Sequence, residues 1–470
     1  MKYAILALLP IALVSVGCDK PKHPPAAPSA PAGATVGYVG CDYGFRVFAE
    51  DPDGDSVAIR FNWGDGDSVG WSSLVASGDT VRMSHKWSSA GPFGVTAQAK
   101  DNGGNTSNWS ASHVMTVSAG WSVTLGGDDD DWGNSVRETS DGGFIIAGGT
   151  ESYGAGEQDV WLVKTDAMGS ITWSKTLGGR DDEVAHSVAQ TADGGYVLTG
   201  DDTTGALWLV KTDANGSVVW DKTFGGRASG FSVQQTSDGG FIVVGTSYST
   251  GGGDVLLVKA DAEGGEMWSR TFGGVQPDGG ACVQQTADGG YVVVGTTASE
   301  GAGSFDVWLI KSTPSGGVKW SKTYGGTSDD KGSYVRQTQD GGYIIAGMTK
   351  SFGAGNFDAW LIRTDADGTE VWSKTFGGTG SDEATCVDQT QDGGFVVTGS
   401  YFTSGRNDDL WLLKVDANGN VAWEKKLGGT ACDAGSSVEQ TRDGGYIVAG
   451  GTMVGGNGDV YLIRTGAFGE

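Results

Sequence analysis

The sequence predicts an all-β chain, in which a small β-sandwich precedes a ring of repeated four-stranded sheets. Three observations predict the ring. The pattern S-V-x-Q-T-x-D-G-G-aromatic recurs seven times, about 50 residues apart. Each copy continues with an apolar run and a D-V-W-L-V-K segment, and a W-S-K-T strand also recurs. Self-similarity at this period, with strand-like content, is typical of one small sheet repeated radially or in a stack. The Asp-Gly-Gly triplets begin at Asp141, Asp193, Asp238, Asp288, Asp340, Asp392 and Asp443.

Each repeat divides into four predicted strands. The first two are clearest in the last copy, at 437–441 and 446–450, and the next two in the fifth copy, at 358–364 and 371–376. Asp-Gly and Gly-Gly tolerate positive φ, so the D-G-G triplet suits a tight hairpin between the first and second strands. The second and third strands are apolar on both faces, whereas the fourth alternates like a half-exposed strand.

Strands that are apolar on both faces must be covered on both sides. Packing sheet upon sheet around an axis gives that cover and leaves only short edges. Seven units of four strands therefore predict a seven-bladed β-propeller over residues 119–470. The first W-S-x-T strand, at Trp121, precedes the first D-G-G turn, and no such strand follows the last unit. The strand at Trp121 is accordingly predicted to be the outer strand of the last blade and to close the ring.

Composition narrows the class of protein. Most of the 83 glycines lie in repeat turns, so they do not indicate disorder. A net charge of −26 argues against nucleic acid as a partner, for which a basic stripe is expected. Cys282 and Cys386 share a repeat position that holds Ser or Tyr in other copies, which favours small buried side chains over a disulfide. We expect a soluble, exported monomer.

The N-terminus has the features of an export signal. Residues 1–18 begin with a positive charge, and their apolar core is too short to span a membrane. The segment ends in Gly17-Cys18 and resembles a bacterial lipoprotein lipobox, which implies lipidation of Cys18 and a membrane anchor. Ser15 replaces the usual aliphatic residue, and the alternative is ordinary signal cleavage nearby. Residues 19–33 are rich in proline and are predicted to form a stiff, extended tether.

Residues 34–118 lack the repeat. They contain D-P-D-G-D at 51–55, N-W-G-D-G at 62–66 and H-K-W at 85–87. This order resembles a PKD (polycystic kidney disease-type) domain, an Ig-like β-sandwich found in many secreted bacterial proteins. The resemblance implies a spacer or adhesive module and no catalyst.

A calcium site is one interpretation of the D-P-D-G-D segment. Asp51, Asp53 and Asp55 alternate at a spacing that can place several oxygens around Ca²⁺. The alternative is a solvated turn between strands, and no bidentate Glu follows at EF-hand spacing. No other cofactor is predicted.

The loops after the second and fourth strands vary between repeats and project on the same face of a blade. Because function concentrates in loops that a rigid scaffold holds, this face is the predicted binding face. Its recurring aspartates would attract cations or a basic partner. The alternative is that they cap the amides of their own turns. Trp132 and Phe357 each occur once, in variable loops. The partner-binding candidates are Trp132, Asp130, Asp131, Asp182, Asp330, Phe357 and Asp382.

Catalysis receives little support. The ring has a single histidine, His186, which makes neither a zinc site nor a Ser-His-Asp arrangement and is interpreted as a surface residue. The repeat is similar to the kelch repeat, and the D-A-M-G to Trp173 segment at 166–173 is similar to quinoprotein-type propellers. Both resemblances imply the propeller fold. The quinoprotein enzymes need a vicinal disulfide, and this chain has no adjacent cysteines, so their chemistry is not carried over.

The leading functional hypothesis is a non-catalytic, extracytoplasmic lipoprotein. Its lipid anchor and PKD-like module would hold the ring away from a membrane, and the variable-loop face would bind a protein or glycan. One alternative is a polysaccharide-active hydrolase or lyase, because PKD-like modules often accompany secreted hydrolases. The other is an envelope assembly factor, similar to quinoprotein-type scaffold lipoproteins.

Overall fold

A computed structural model describes residues 22–67, 70–202, 204–249, 252–403, 407–429 and 431–469. Every regular element in these ranges is a β-strand, and none of the described residues forms a helix able to cross a bilayer. The predicted signal peptide and Cys18 lie outside the described residues. The chain divides into an N-terminal unit (1–37, 43–86 and 91–117) and a C-terminal unit (38–42, 87–90 and 118–470).

The N-terminal unit consists of two sheets, with strand orders β1-β6-β5-β3 and β2-β4. The edge of Phe45 on β2 packs against Trp63, which follows β3, with ring centroids 5.7 Å apart. Both side chains are fully buried, so the core lies between the two sheets. The strands are β1 (Val36–Tyr38), β2 (Tyr43–Phe48), β3 (Val57–Asn62), β4 (Thr80–His85), β5 (Gly91–Asp101) and β6 (His113–Ser118).

Part of the segment predicted as a tether follows the edge of β2. The backbone amides of Ala26, Ser29 and Ala32 donate hydrogen bonds to carbonyl oxygens within residues 46–50. Proline and alanine in this stretch form an extended chain, which is the conformation that a strand edge accepts. Residues 26–32 therefore belong to the N-terminal unit, and the free tether that we predicted for 19–33 is shorter by this part.

Within the described residues, the C-terminal unit contains seven four-stranded antiparallel sheets, numbered here 1 to 7 in chain order. The strands of sheets 1 to 3 are β8 (Asp131–Glu138), β9 (Phe144–Thr150), β10 (Asp159–Thr165), β11 (Ile171–Leu177), β12 (Val184–Gln190), β13 (Tyr196–Asp201), β14 (Leu207–Thr212), β15 (Val218–Phe224), β16 (Ala228–Gln235), β17 (Phe241–Ser247), β18 (Asp254–Ala260) and β19 (Glu266–Phe272). Those of sheets 4 and 5 are β20 (Asp278–Gln285), β21 (Tyr291–Thr297), β22 (Asp306–Ser312), β23 (Val318–Tyr324), β24 (Asp330–Gln337), β25 (Tyr343–Thr349), β26 (Asp358–Thr364) and β27 (Glu370–Phe376). Those of sheets 6 and 7 are β28 (Glu383–Gln389), β29 (Phe395–Thr403), β30 (Asn407–Val415), β31 (Val421–Leu427), β32 (Asp433–Gln440), β33 (Tyr446–Val454), β34 (Asn457–Thr465) and β7 (Gly120–Leu125).

Sheet 7 takes its outer strand from the start of the unit. β7 pairs antiparallel with β34, in a register that runs from Val460 opposite Leu125 to Thr465 opposite Gly120. This is the pairing that the count of W-S-x-T strands predicts. Buried residues of sheets 7 and 1, including Ile447, Leu462 and Val136, form one hydrophobic cluster.

The repeated glutamine of S-V-x-Q-T links each sheet to its neighbour. In sheet 2, Gln190 Oε1 accepts a 2.8 Å hydrogen bond from the Ser140 amide, which lies in the D-G-G turn of sheet 1. The same bond recurs in the next five junctions. Between sheets 7 and 1, Glu138 takes the place of glutamine and accepts a 2.8 Å bond from the Arg442 amide. One type of contact therefore joins all seven pairs of neighbouring sheets in the described residues.

The outer-strand tryptophan makes a second repeated contact. A Cβ placed on Gly169 of sheet 1, which has φ of +79°, would lie 2.6 Å from the ring of Trp121 in sheet 7. The equivalent turn glycine of each following sheet faces the tryptophan of the sheet before it. The glycine of the D-x-x-G turn is thus needed both for its backbone angle and for the approach of the indole.

Each D-G-G turn is held by a buried cation that the sequence analysis did not single out. Asp141 Oδ1 accepts hydrogen bonds from Thr139 Oγ1 at 2.5 Å and from Lys164 Nζ at 3.1 Å, and Lys164 is buried. Lysine or arginine fills this position in all seven sheets. In sheet 2, hydrogen bonds from Thr191 and Lys211 lower the pKa of Asp193 to about 2. The lysine of D-V-W-L-V-K lies near the C-terminal end of the third strand and fastens the D-G-G turn between the first and second strands.

Candidate functional site

Three of the predicted partner-binding aspartates are buried and hold their own loops. Asp131 Oδ2 accepts 2.8 Å hydrogen bonds from the Gly127 amide and from Ser152 Oγ. Asp330 and Asp382 accept equivalent bonds, of 2.8 and 2.7 Å, from glycine amides four residues earlier. All three residues are at most 1% exposed. The turn-capping alternative describes these buried carboxylates, and their contact with a partner stays a prediction.

The other two predicted carboxylates lie at the surface. Asp182 is exposed and is not the capping residue of its loop. That role falls to the buried Glu183, which accepts a 3.1 Å bond from the Gly179 amide and which the sequence analysis did not select. Asp130 is exposed, and its Oδ1 accepts a 2.6 Å bond from the Gly458 amide. Of the predicted carboxylates, Asp130 and Asp182 are therefore available to a partner.

The two predicted aromatic residues lie at different junctions. Trp132 is half-buried and lines a cavity of about 530 Å³ together with Asp130, Asp131 and Met453. Phe357 is half-buried beside Asp382, whose amide donates a 2.8 Å bond to the Phe357 carbonyl. The structure thus brings Trp132, Asp130 and Asp131 together and places Phe357 elsewhere.

A second carboxylate approaches the capping carboxylate at four of the seven junctions, where both lie close to Gly126, Gly178, Gly273 or Gly325. A Cβ on Gly325 would lie 1.8 Å from Asp306 Oδ1 and 2.8 Å from Asp330 Oδ2, so the two carboxylates converge on one glycine. Between sheets 2 and 3, both positions are alanine: Ala206 and Ala228. Burial, followed by the charge of Asp131, raises the pKa of Asp459 at the junction of sheets 7 and 1. These buried acidic residues hold the variable loops through hydrogen bonds to the loop amides. Little of their charge is therefore available to a ligand.

The first strands of all seven sheets line a cavity of about 580 Å³, which we call the serine-lined cavity. Their contribution comes from the N-terminal half of each first strand, the half that adjoins the variable loops. Its lining is rich in hydroxyl groups, which come from Ser135, Ser187, Ser232, Thr246, Thr296, Ser333, Tyr334, Thr385, Ser436 and Ser437.

A β-bulge at one repeated position directs residues into the serine-lined cavity. The pairing of β8 with β9 shifts between Gly133 and Ser135, and the first strand of every other sheet shifts at the equivalent place. The bulge residues are Asn134, His186, Phe231, Ala281, Ser333, Thr385 and Ser436, and all seven line the cavity. Bulges redirect side chains and are common beside functional sites. The residue type varies at this position, whereas glycine or alanine always precedes it. Two of the seven side chains also contact the next sheet: Asn134 donates a 2.9 Å hydrogen bond to the Ala185 carbonyl, and Thr385 donates a 2.6 Å bond to the Gly435 carbonyl. The fold therefore accepts several residue types here.

Arg137 and Tyr334 form the boundary of the serine-lined cavity. Arg137 Nη2 donates a 2.9 Å hydrogen bond to the Tyr334 hydroxyl, and Nη1 donates to the Val136 carbonyl and to Ser437 Oγ. Both residues also line a second cavity of about 430 Å³, which contains Glu138, Gln190, Gln234, Gln284 and Glu439. Burial raises the pKa of Tyr334 well above its usual value, so the phenol stays neutral.

The wall of the serine-lined cavity carries an aromatic pair and a carboxylate. The rings of Phe231 and His186 lie 5.2 Å apart, and His186 Nε2 is 3.5 Å from Asp201 Oδ2. His186 lines this cavity with a side chain that is 27% exposed, so it is neither buried in the core nor on an outer strand. Among the described residues, no group donates a hydrogen bond to the carboxylate of Glu383, which also lines the cavity. Burial raises the pKa of Glu383, and the charge of Lys331 opposes that rise.

In the N-terminal unit, the three aspartates of the calcium prediction have separate partners. Asp51 is buried, and its Oδ1 accepts hydrogen bonds from the amides of Asp53 and Asp55 at 2.9 and 3.2 Å. The carboxylate of Asp53 accepts a 2.6 Å bond from the His23 amide, and Asp55 pairs with Lys22 at 2.9 Å. This geometry favours the turn interpretation, and the calcium site stays a prediction.

Another group of ligand atoms lies in the same unit. In the part of the chain that the structure describes, one set of three potential metal ligands lies within 4.8 Å: Asp65, Asp67 and His85. His85 Nε2 already lies 2.6 Å from Asp65 Oδ2, and the ring of His85 stacks on Trp63. An ion pair and a stacked ring account for this arrangement without a metal.

The PKD domain family matches residues 28–114. The PKD domain of an M14-like peptidase from Thermoplasmatales archaeon SCGC AB-540-F20 is 34% identical to the aligned region, with 97% of that chain and 20% of this one covered and a TM-score of 0.20. Residues 28–114 therefore form a PKD domain, and through them the chain belongs to the PKD family. PKD domains are typically extracellular.

The C-terminal unit has more distant neighbours. A protein of unknown function from Bacteroides caccae is 13% identical, with 58% of this chain and 92% of that chain covered and a TM-score of 0.38. Sqt1 from Chaetomium thermophilum is 12% identical, with 71% and 83% covered and a TM-score of 0.44. No curated protein matches the sequence.

Proposed function

We propose that the C-terminal unit is a seven-bladed β-propeller and that the protein is a non-catalytic binding protein. Its partner, a protein or a glycan, would bind at the end of the propeller that carries the variable loops. Two contacts support closure of the ring: Glu138 with the Arg442 amide, and Trp121 with Gly169. Both join sheet 7 to sheet 1 in the way in which every other pair of sheets is joined.

One observation carries the functional proposal. The bulge residues vary among repeats that otherwise share their turns, core and inter-sheet hydrogen bonds, and all of them face one cavity. Residues under structural constraint alone would repeat, as the glutamines and turn lysines do. Variation concentrated at one cavity is what selection for a ligand produces on a repetitive scaffold.

Exposed apolar side chains surround the same end of the propeller. Thr150, at the end of β9, pairs with Asp131, at the start of β8, so the loop after the second strand lies beside the entry loop. Exposed side chains at the ends of the second strands and in the loops that follow them, called here the rim, are Tyr153, Tyr248, Phe352, Phe402 and Met453. Exposed aromatic residues offer large contact area to proteins and stacking faces to sugars.

The PKD domain and the predicted export signal support a location of this binding end outside the cytoplasm. Lipidation of Cys18 would anchor the protein to a membrane of the cell envelope, and the part of the predicted tether before Lys22 would connect the anchor to the PKD domain. The PKD domain would then serve as a spacer between the anchor and the propeller. No charge pattern suited to nucleic acid is present in the sequence, whose net charge is −26.

The proposal is tested with the soluble chain 19–470 and two double variants. Tyr153→Ser with Phe352→Ser alters the rim, and Val219→Ser with Val371→Ser removes apolar side chains that are still more exposed from outer strands. Both proteins and the wild type are applied to a glycan array and to envelope extract, with bound proteins identified by mass spectrometry. We expect at least a tenfold loss for the rim variant and none for the outer-strand variant.

Three results would contradict this function. Equal binding by both variants would remove the rim from the site. Shortened glycan products, released by the wild-type protein, would favour the hydrolase or lyase alternative. Crosslinking in cells to membrane-assembly machinery alone would favour the assembly-factor alternative.

A further inference from the structure

The serine-lined cavity has the size and chemistry of a small-molecule site. Its volume of about 580 Å³ falls within the roughly 300–1,000 Å³ that is usual for ligand pockets. Three of its seven bulge residues, Ser333, Thr385 and Ser436, carry hydroxyls, and that of Thr385 already donates to the Gly435 carbonyl at 2.6 Å, which leaves it as an acceptor. A hydroxyl both donates and accepts hydrogen bonds, and a polar group that is left unpaired on burial weakens binding. The lining therefore suits a ligand that is itself rich in hydroxyl groups and is poorly matched to an apolar one.

Glu383 adds an acceptor that the protein leaves unused. Within the described residues its carboxylate receives no hydrogen bond, although the side chain is partly buried beside Lys331. An ionised carboxylate accepts through two oxygens and cannot donate. Two adjacent hydroxyls of a sugar ring would supply both donors at the spacing of the two oxygens, and they would compensate the partial desolvation of this charge.

Phe231 provides an apolar surface in the same cavity. Its ring is tilted against His186, with centroids 5.2 Å apart, and the bulge aims it at the cavity. The face of an aromatic ring carries partial negative charge and attracts polarised hydrogens. The C–H groups on one face of a pyranose ring meet this requirement, whereas its hydroxyls point outward toward polar neighbours.

The cation at the cavity boundary argues against a phosphate or sulfate ligand. Arg137 already donates to the Tyr334 hydroxyl, to the Val136 carbonyl and to Ser437 Oγ. An anion site would require a guanidinium that is free to form paired hydrogen bonds with the ligand. These hydrogen bonds instead hold the guanidinium of Arg137 in the cavity wall, and the carboxylate of Glu383 would repel an anion.

From these contacts we infer that the serine-lined cavity binds the terminal one or two sugar rings of a neutral glycan. Glu383 accepts from neighbouring hydroxyls, and Phe231 packs on the face of the sugar ring. This inference rests on the proposed binding function. Of the two partner classes proposed there, a protein or a glycan, it favours the glycan. The rim would then contact the rest of the glycan chain.

The test uses chain 19–470 and an array of neutral oligosaccharides whose terminal units are defined. Each glycan that binds is followed by calorimetry with its terminal disaccharide alone. Glu383→Gln and Phe231→Ala are compared with Glu300→Gln, an exposed loop carboxylate, and Val371→Ala, an exposed apolar side chain. Thermal unfolding of each variant checks that the chain remains folded.

We expect the disaccharide to bind, and we expect at least a tenfold loss of affinity in both cavity variants but none in the two controls. The rim variant should bind the full glycan more weakly than the wild type does, and it should bind the disaccharide with unchanged affinity. Failure of every terminal disaccharide to bind, or unchanged affinity in both cavity variants, would overturn the inference. A partner protein that binds through the rim and is insensitive to the cavity variants would overturn it too, yet would leave the proposed function standing.

Discussion

The two ends of the seven sheets are built on different rules. At the D-G-G end, the same aspartate, threonine and buried cation recur in every sheet, and the same turn amide reaches the next sheet. At the variable-loop end, loop length and sequence change, although a capping carboxylate is kept in six sheets. The difference separates what the fold requires from what it leaves free. The first strands connect both ends, and they repeat along their length except at the positions that face the cavities.

The largest effect among these predictions is expected at the second glycine of the D-G-G turn. A Cβ on Gly143 would lie 2.1 Å from the Thr165 carbonyl oxygen, whereas a Cβ on Gly142 would meet open space at a φ of +83°. Gly143→Ala should therefore lower the free energy of unfolding by about 3 kcal/mol, through overpacking against backbone. Gly142→Ala should lower it by about 1 kcal/mol, through its left-handed backbone alone. Urea unfolding of both variants measures the difference, and equal losses would contradict the role assigned to the turn.

The buried cation is expected to have the next largest effect. Lys164→Met keeps the apolar stem but removes the hydrogen bonds from Nζ to Asp141 and to the Thr165 carbonyl. We expect a loss of about 2 kcal/mol in unfolding free energy. Hydrogen bonds to charged groups contribute about 1.5–3 kcal/mol. Because Asp141 is largely exposed, solvent weakens its interaction with Lys164, and the loss stays below the upper end of that range. Lys350→Met at the variable-loop end is the matched control and should change stability by about 0.5 kcal/mol or less. If the two lysines proved equivalent, the contrast between the two ends would fail.

Glu138 tests whether sheet 7 meets sheet 1 as the other sheets meet. Burial raises the pKa of Glu138 above 4.5, and the hydrogen bond from the Arg442 amide opposes that rise. Since the folded state favours the protonated form, stability falls as the pH rises from about 4.5 through the raised pKa. Glu138→Gln restores the residue of the other six repeats and should stabilise the protein by about 1 kcal/mol at pH 7. The gain should vanish near pH 4, which urea unfolding at both pH values would establish. A destabilising effect at pH 7 would mean that this junction differs from the rest.

Much of the fold was predictable because turn chemistry and periodicity are local properties of a sequence. The four-strand repeat, the pairing of the Trp121 strand with the last unit, and the burial of Cys282 and Cys386 all follow from such patterns. The direction of a side chain within a loop is not a local property. Acidic residues in the entry loops were therefore evident, but whether Asp330 faced solvent or its own turn amide was not.

The cavity was missed for a related reason. The variable residues of the first strand were visible in the sequence, since Arg137 and Glu439 both occupy the x of S-V-x-Q-T. A β-bulge, however, changes which residues face the cavity, and no turn residue marks its place in these strands. Comparing the repeats position by position would have shown where they differ, even without knowledge of the register.

Two adjacent serines in β32 allow a position that the fold requires to be compared directly with one that it leaves free. The expected effects are the smallest of the four predictions. The buried Ser437 Oγ accepts 3.2 Å bonds from the Val136 amide and from Arg137 Nη1, so Ser437→Ala should cost about 1 kcal/mol of unfolding free energy. Ser436 occupies the bulge and lines the serine-lined cavity. Its replacement by alanine should change stability by less than about 0.5 kcal/mol, because no repeated contact depends on it. Urea unfolding distinguishes the two variants. A loss at Ser436 equal to that at Ser437 would mean that the fold, and not a ligand, determines the bulge residues, and the argument for a binding cavity would lose its main support.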